Sequence, residues 1–218
     1  MTPILIIPGL GSSGPHHWQT HLERSFPRTL RVHQDDWDYP NRAEWLERLV
    51  GAVSAAPGAV LVAHSLGCAL VAHLAAEQPG LAVTAALLVA PADVESPDRT
   101  PECVRGFAPI PPGPLPFRSV VVASSDDDYI TLPRAREFAR AWRAEFVDVG
   151  PLGHINVEAG FGPWPLGEQI LRDLLTGRRR GLNLALPDGH RGARGRKPDW
   201  RDREAQFARS SRRDASQM

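Results

Sequence analysis

A three-layer α/β fold, about six mainly parallel strands with helices on both faces, is predicted by two features of the 218-residue sequence. Short apolar runs alternate some five times with segments of helical periodicity, the pattern of a parallel sheet wrapped by its crossover helices. Most of the runs are apolar, as buried strands are. The length suits one domain with a short appendage, and a 42% hydrophobic content is enough for a two-sided core.

The elements follow in order. "PILIIPGLGSSGP" reads as a strand at 3–7 entering a glycine-rich loop at 8–15. Helical spacing runs through Trp18, Leu22 and Phe26, and residues 30–33 form a second strand. After the loop "DDWDYPN", Trp45, Leu49 and Val53 mark a second helix. "AVLVAHS" is the third strand, followed by a helix at 66–77, and "VTAALLVAP" at 83–91 is the fourth strand. Residues 92–117 are too rich in proline for a central strand and read as irregular, with 97–117 as the candidate cover of a site. A fifth strand at 118–125, a helix at 131–143, a sixth strand "EFVDVG" and a helix at about 164–176 complete the domain, which is assigned to 1–176. Residues 177–218 are rich in Arg and Gly and poor in apolar residues, and are expected to be a basic, disordered tail.

The chain is neutral overall, with 25 side chains of each sign. The tail carries twelve basic and five acidic residues, which leaves the body near −7. An acidic body argues against a polyanionic ligand, so nucleic acid is expected at most on the tail. Two cysteines, 68 and 103, make no disulfide framework and no CxxC metal motif. The N-terminal run "ILII" is too short for a signal peptide, and nothing approaches a membrane span of roughly 18 apolar residues. A soluble cytoplasmic protein without metal or cofactor is expected.

"LVAHSLGCAL", residues 61–70, places a serine between an apolar strand and an apolar helix. A serine on such a strained, crowded turn needs small neighbours, usually as G-x-S-x-G. Gly67 fits, while Ala63 replaces the first glycine with the next smallest side chain. Ser65 would then project from the C-terminal edge of the sheet, where ligands bind in open α/β folds. The N–H of Leu66, at the helix N-terminus, would face a developing oxyanion. The plainer reading of Ser65 is a helix N-cap.

A nucleophilic serine needs a base and the base an orienting acid, which follow in the order Ser, acid, His on loops after strands. "VVVASSDDDYITLP" runs from a strand into Asp126, Asp127 and Asp128, any of which would serve as the acid. "FVDVGPLGHINVE" supplies His154 on a strand-exit loop, whereas His33, His64, His73 and His190 read as packing, capping or solvated residues. The second oxyanion N–H is assigned to Leu10, in the glycine-rich loop after the first strand. "GLGSSG" also has the form GxGxxG, but it lacks the other features of a dinucleotide site, and no GK[ST] is present.

"PGLGSSGPHHWQ", "QDDWD", "LVAHSLGC", "LLVAPADVE", "LPFRSVVVASSDDDY" and "GHINVEAGFGPWPLG" together resemble the retinoblastoma-binding protein 9 / YdeN-like family of small serine hydrolases, within the α/β-hydrolase superfamily. The resemblance spans roughly residues 3–175 and implies the three-layer α/β-hydrolase fold and a Ser65–Asp127–His154 triad. The acid falls on Asp127, the second Asp of an S-x-D-D step, with Asp128 as the alternative because it stands where many relatives carry proline. "LGCAL" at 66–70 lacks the Glu of L-x-C-x-E, so no pocket-protein partner is implied. The expected activity is cleavage of a small-molecule acyl ester through an acyl-enzyme. The alternative is a catalytically weak binding module on the same scaffold.

Overall fold

The computed structural model describes residues 1–178, so the expected disordered tail lies, but for its first two residues, outside the described residues. Twelve elements follow one another. They are β1 (Ile4–Ile7), α1 (Trp18–Ser25), β2 (Thr29–Arg31), α2 (Arg42–Ala55), β3 (Ala59–His64), α3 (Leu66–Glu77), β4 (Val83–Val89), a 3-10 helix (Glu102–Phe107), β5 (Arg118–Ala123), α4 (Leu132–Ala141), β6 (Glu145–Asp148) and α5 (Pro165–Leu175). The six strands form one sheet in the order β2-β1-β3-β4-β5-β6, every neighbouring pair parallel.

Residue alternation along the strands divides the core. Leu5, Ile7, Leu61, Ala63, Leu88 and Val121 pack with Trp45 and Leu49 of α2, Leu70 of α3 and Phe138 of α4. Ile4, Ile6, Val60, Val62, Leu87 and Val122 pack with Trp18 and Leu22 of α1 and with Ile170 and Leu171 of α5. Both faces of the inner strands are covered, which is why β1, β3, β4 and β5 are largely apolar, whereas the edge strands β2 and β6 carry Thr29, Arg31, Glu145 and Asp148. Truncating a wholly buried residue such as Leu61 to Ala would cost about 2–5 kcal/mol. Two helix starts are written in the sequence. Asn41 Oδ1 accepts the N–H groups of Ala43 and Glu44, and Thr131 Oγ1 accepts that of Arg134.

The chain leaves β1 toward β2 on one side and builds β3 to β6 on the other. The loops after β1 and β3 therefore diverge, opening a crevice at the carboxyl ends of the strands. Two expectations shift. β2 ends at Arg31 rather than His33, although Val32 N–H still donates to the Ile6 carbonyl. Within the proline-rich segment, residues 102–107 form the 3-10 helix, which His73 anchors by donating from Nε2 to the Phe107 carbonyl at 2.8 Å. Among the described residues, no helix is long and apolar enough to cross a membrane.

Candidate active site

Ser65 joins β3 to α3 with φ 55° and ψ −122°, outside the regions an ordinary L-residue prefers. Holding it there costs about 1–3 kcal/mol, which the surrounding packing must supply. Two glycines make room. A Cβ on Gly67 would overlap the carbonyl oxygens of Ile7 and Pro8, and one on Gly9 would sit 2.8 Å from the Ser65 Cβ. Ala63 is wholly buried in the sheet, where its methyl is accommodated. Ser65 N–H donates to the Val89 carbonyl at 3.0 Å, fixing the turn to β4. The residue occupies the N-cap position of α3, yet its side chain makes no capping hydrogen bond. Its Oγ lies instead 2.9 Å from His154 Nε2.

His154 Nδ1 is 2.9 Å from both carboxylate oxygens of Asp127. The Asp127 side chain is fully shielded from solvent and also accepts the Tyr129 N–H at 2.8 Å. With Nδ1–H donating to Asp127, Nε2 is left to accept the Ser65 hydroxyl proton. The neighbouring aspartates do other things. Asp126 accepts the Gly153 N–H at 2.7 Å and the Ser124 hydroxyl at 2.8 Å. Asp128 is exposed, and its carbonyl accepts from Arg99.

The loop carrying His154 is fastened at four successive residues. Leu152 N–H donates to Ser124 Oγ, Gly153 N–H to Asp126, His64 Nε2–H to the His154 carbonyl at 2.9 Å, and Trp18 Nε1–H to the Ile155 carbonyl at 2.8 Å. Sequence reasoning gives none of these four side chains this task. They come from α1, β3 and the exit of β5, and only their juxtaposition gives them a role. "HHWQ" at 16–19 holds a partial signal, since it opens α1: His17 Nδ1 accepts the Gln19 N–H there. Gln19 in turn donates to the carbonyls of Ile7 and Val62, tying β1 to β3 beneath the crevice.

Leu10 follows Gly9, and a Cβ on Gly9 would sit 3.2 Å from the Leu66 nitrogen, so the two leucines come from closely apposed stretches of backbone. As the first residue of α3, Leu66 has no acceptor for its N–H within the helix. Both leucines line a cavity of about 590 Å3 together with Ser65, His154, His17 and Tyr129. Thr100, Pro101, Cys103 and Val104 form its cover, so only this part of the segment 97–117 reaches the site. Arg105 stiffens the cover by donating to the carbonyls of Val94, Ser96 and Thr100.

Three histidine rings stand in a row, His17 to His64 at 4.9 Å and His64 to His154 at 4.8 Å between centroids. Burial, reinforced by the neighbouring His154, lowers the His17 pKa to about 3. Burial likewise drives His64 well below the usual imidazole range, with His154 and His17 adding to it. Both rings are neutral at physiological pH, so the crevice is not a cationic pocket. Burial also pushes the Cys68 thiol upward, which leaves that buried cysteine inert.

A parallel sheet that presents a serine on a strained turn after a central strand, beside its switch point, has the architecture of an α/β-hydrolase. Comparison with known proteins gives the same class. The serine hydrolase family model matches residues 4–173, and the chain belongs to that family. A YdeN-like hydrolase from Pectobacterium atrosepticum is 31% identical, with a TM-score of 0.73 over 82% of this chain and 92% of that one. The ydeN gene product of B. subtilis is 19% identical, with a TM-score of 0.67 over 81% and 100% of the two chains. Est1E from Butyrivibrio proteoclasticus shares the fold at 14% identity, with a TM-score of 0.61 over 80% and 89%. No curated protein matches the chain. It is a small YdeN-like serine hydrolase of the α/β-hydrolase superfamily.

Proposed function

We propose that the enzyme cleaves small acyl esters through a Ser65–His154–Asp127 triad. The Ser65 oxygen attacks the ester carbonyl carbon while its proton passes to His154 Nε2. Asp127 keeps the imidazole in the required tautomer and stabilises its charged form without taking the proton. The N–H groups of Leu66 and Leu10 receive the oxyanion, each such donor being worth about 3 kcal/mol. His154 then returns its proton to the departing alkoxide, leaving an acyl group on Ser65. Water attacks this acyl-enzyme, giving one proton to His154, and collapse releases the carboxylic acid as Ser65 regains a proton. No step calls for a metal or cofactor.

The observation that carries this reading is the continuous pair of 2.9 Å contacts from Ser65 Oγ through the imidazole to Asp127. A cavity of about 590 Å3 suits modest acyl groups rather than long lipid chains. Two cysteines make no disulfide framework in a chain of this length, and the cytoplasm is where we place the enzyme. The test is hydrolysis of p-nitrophenyl acetate by wild type and by Ser65→Ala. Turnover by the first and none above background by the second is expected. Equal turnover by both would remove Ser65 from the chemistry, and none by either would mean that the scaffold serves as a binding module instead.

A further inference from the structure

His17 is 5% exposed and lines the cavity beside Ser65, yet it has no part in the proton transfers above. Its Nδ1 is committed as an acceptor from the Gln19 N–H, at 3.2 Å, in the first turn of α1. A neutral imidazole that accepts at one nitrogen carries its proton on the other. The proton is therefore on Nε2, which makes no hydrogen bond among the described residues. The one polar side-chain atom there that is both sealed from solvent and without a partner is Gln34 Oε1, so the free edge of His17 opens to the cavity it lines. A donor that faces a cavity can exchange water for a ligand oxygen of matching geometry.

We propose that His17 Nε2–H is a substrate-binding donor, and that the preferred substrates carry a neutral acceptor oxygen, such as an ether or keto group, close to the scissile ester. Burial holds the ring neutral, and the Gln19 N–H at the start of α1 fixes its tautomer. The same device lets a neutral histidine polarise a substrate oxygen in other enzymes. The remaining walls select for a neutral acceptor. The cavity has no Lys or Arg among its described lining residues, and Asp38 and Glu158 stand at its rim, so a substrate carboxylate meets repulsion and no counter-ion. The proposal rests on the ester-hydrolase reading of the site and adds the chemistry of the group it recognises.

p-Nitrophenyl methoxyacetate and p-nitrophenyl butyrate differ by an ether oxygen in place of a methylene. Their kcat/KM values are measured with the full chain, wild type and His17→Ser. Serine keeps the α1 cap through its hydroxyl but carries no donor that reaches the cavity. The intrinsic difference in reactivity is common to both proteins and cancels in the ratio. The methoxyacetate-to-butyrate ratio is expected to be roughly tenfold lower in the variant, the effect of one hydrogen bond to a buried donor. An unchanged ratio, or an equal loss on both esters, would overturn the proposal. Ser65→Ala run alongside separates the layers, because turnover that survives it sinks hydrolysis at this site rather than the donor. Binding of methoxyacetone and 2-pentanone to wild type, followed by NMR titration, needs neither chemistry nor a folded variant. Tighter binding of the ether ketone is expected, and tighter binding of 2-pentanone would overturn the assignment.

Discussion

The turn after β3 and the loop after β6 meet where Ser65 Oγ lies 2.9 Å from His154 Nε2, but different forces bring them there. The serine is set by backbone crowding. Gly9 and Gly67 let β1, its exit loop and the start of α3 close around a residue held at φ 55°. The histidine is set by hydrogen bonds from distant side chains, one at each of residues 152 to 155. One half of the site is therefore a local solution that a short motif encodes. The other is a collective one, assembled only when α1, β3 and the exit of β5 are in place.

Substitutions can break this comparison at its two ends. The largest effect belongs to Ser65→Ala, which should lower ester turnover by about 10⁵-fold or more, as loss of the nucleophile does in serine hydrolases. Steady-state assay with p-nitrophenyl acetate reads it, and a loss of less than tenfold would remove Ser65 from the chemistry. Asp127→Asn should follow with a loss of about 10⁴-fold, because the amide supports the wrong imidazole tautomer. Asp128→Asn should stay within about threefold of wild type, since Asp128 is exposed and the carboxylate against the imidazole is that of Asp127. The reverse order of these two variants would exchange their roles.

Gly67→Ala and Asp126→Ala then separate the two modes of support. The new methyl in Gly67→Ala overlaps the Ile7 and Pro8 carbonyls, so it should cost about 1–3 kcal/mol in urea unfolding as well as activity. Asp126→Ala removes the carboxylate that accepts the Gly153 N–H. It should slow turnover by roughly tenfold through misplacement of the base while shifting the unfolding midpoint little. If Asp126→Ala proved the more destabilising of the two, the division between steric and hydrogen-bonded support would be wrong.

The smallest effect concerns acid. His17 titrates near 3 in the folded protein and near 6.5 when unfolded, so the unfolded chain takes up the proton first as pH falls. The stability that this ring contributes is whole above pH 6.5 and is lost as pH drops toward 3. Between pH 6.5 and 5 the loss is about 2 kcal/mol. Urea unfolding at both pH values should show a steeper loss for wild type than for His17→Ser, and equal losses would contradict a buried neutral His17.

What is legible in the sequence follows the same division. The apolar inner strands and the small residues around Ser65 point to the sheet and the turn, because those features act within a few residues of where they are written. His154 is legible through its place on a strand exit. The choice among Asp126, Asp127 and Asp128 is not, because a single peptide rotation decides which carboxylate faces the ring, and the resemblance to a family points to Asp127. His64 and Ser124 are invisible as site residues, and "HHWQ" gives only a partial signal for His17 and Trp18, since partners lie up to 137 positions away in the chain. The proline-rich segment is expected as a cover, and only its 100–104 portion lines the cavity, the rest being drawn off to Glu95 and Trp142.

Labelling with a fluorophosphonate, followed by peptide mass mapping, tests the joining of the two regions most directly. An adduct on Ser65 is predicted in wild type, slowed by orders of magnitude in His154→Ala and absent in Ser65→Ala. Modification at a different serine, or undiminished labelling of Ser65 without His154, would contradict the account.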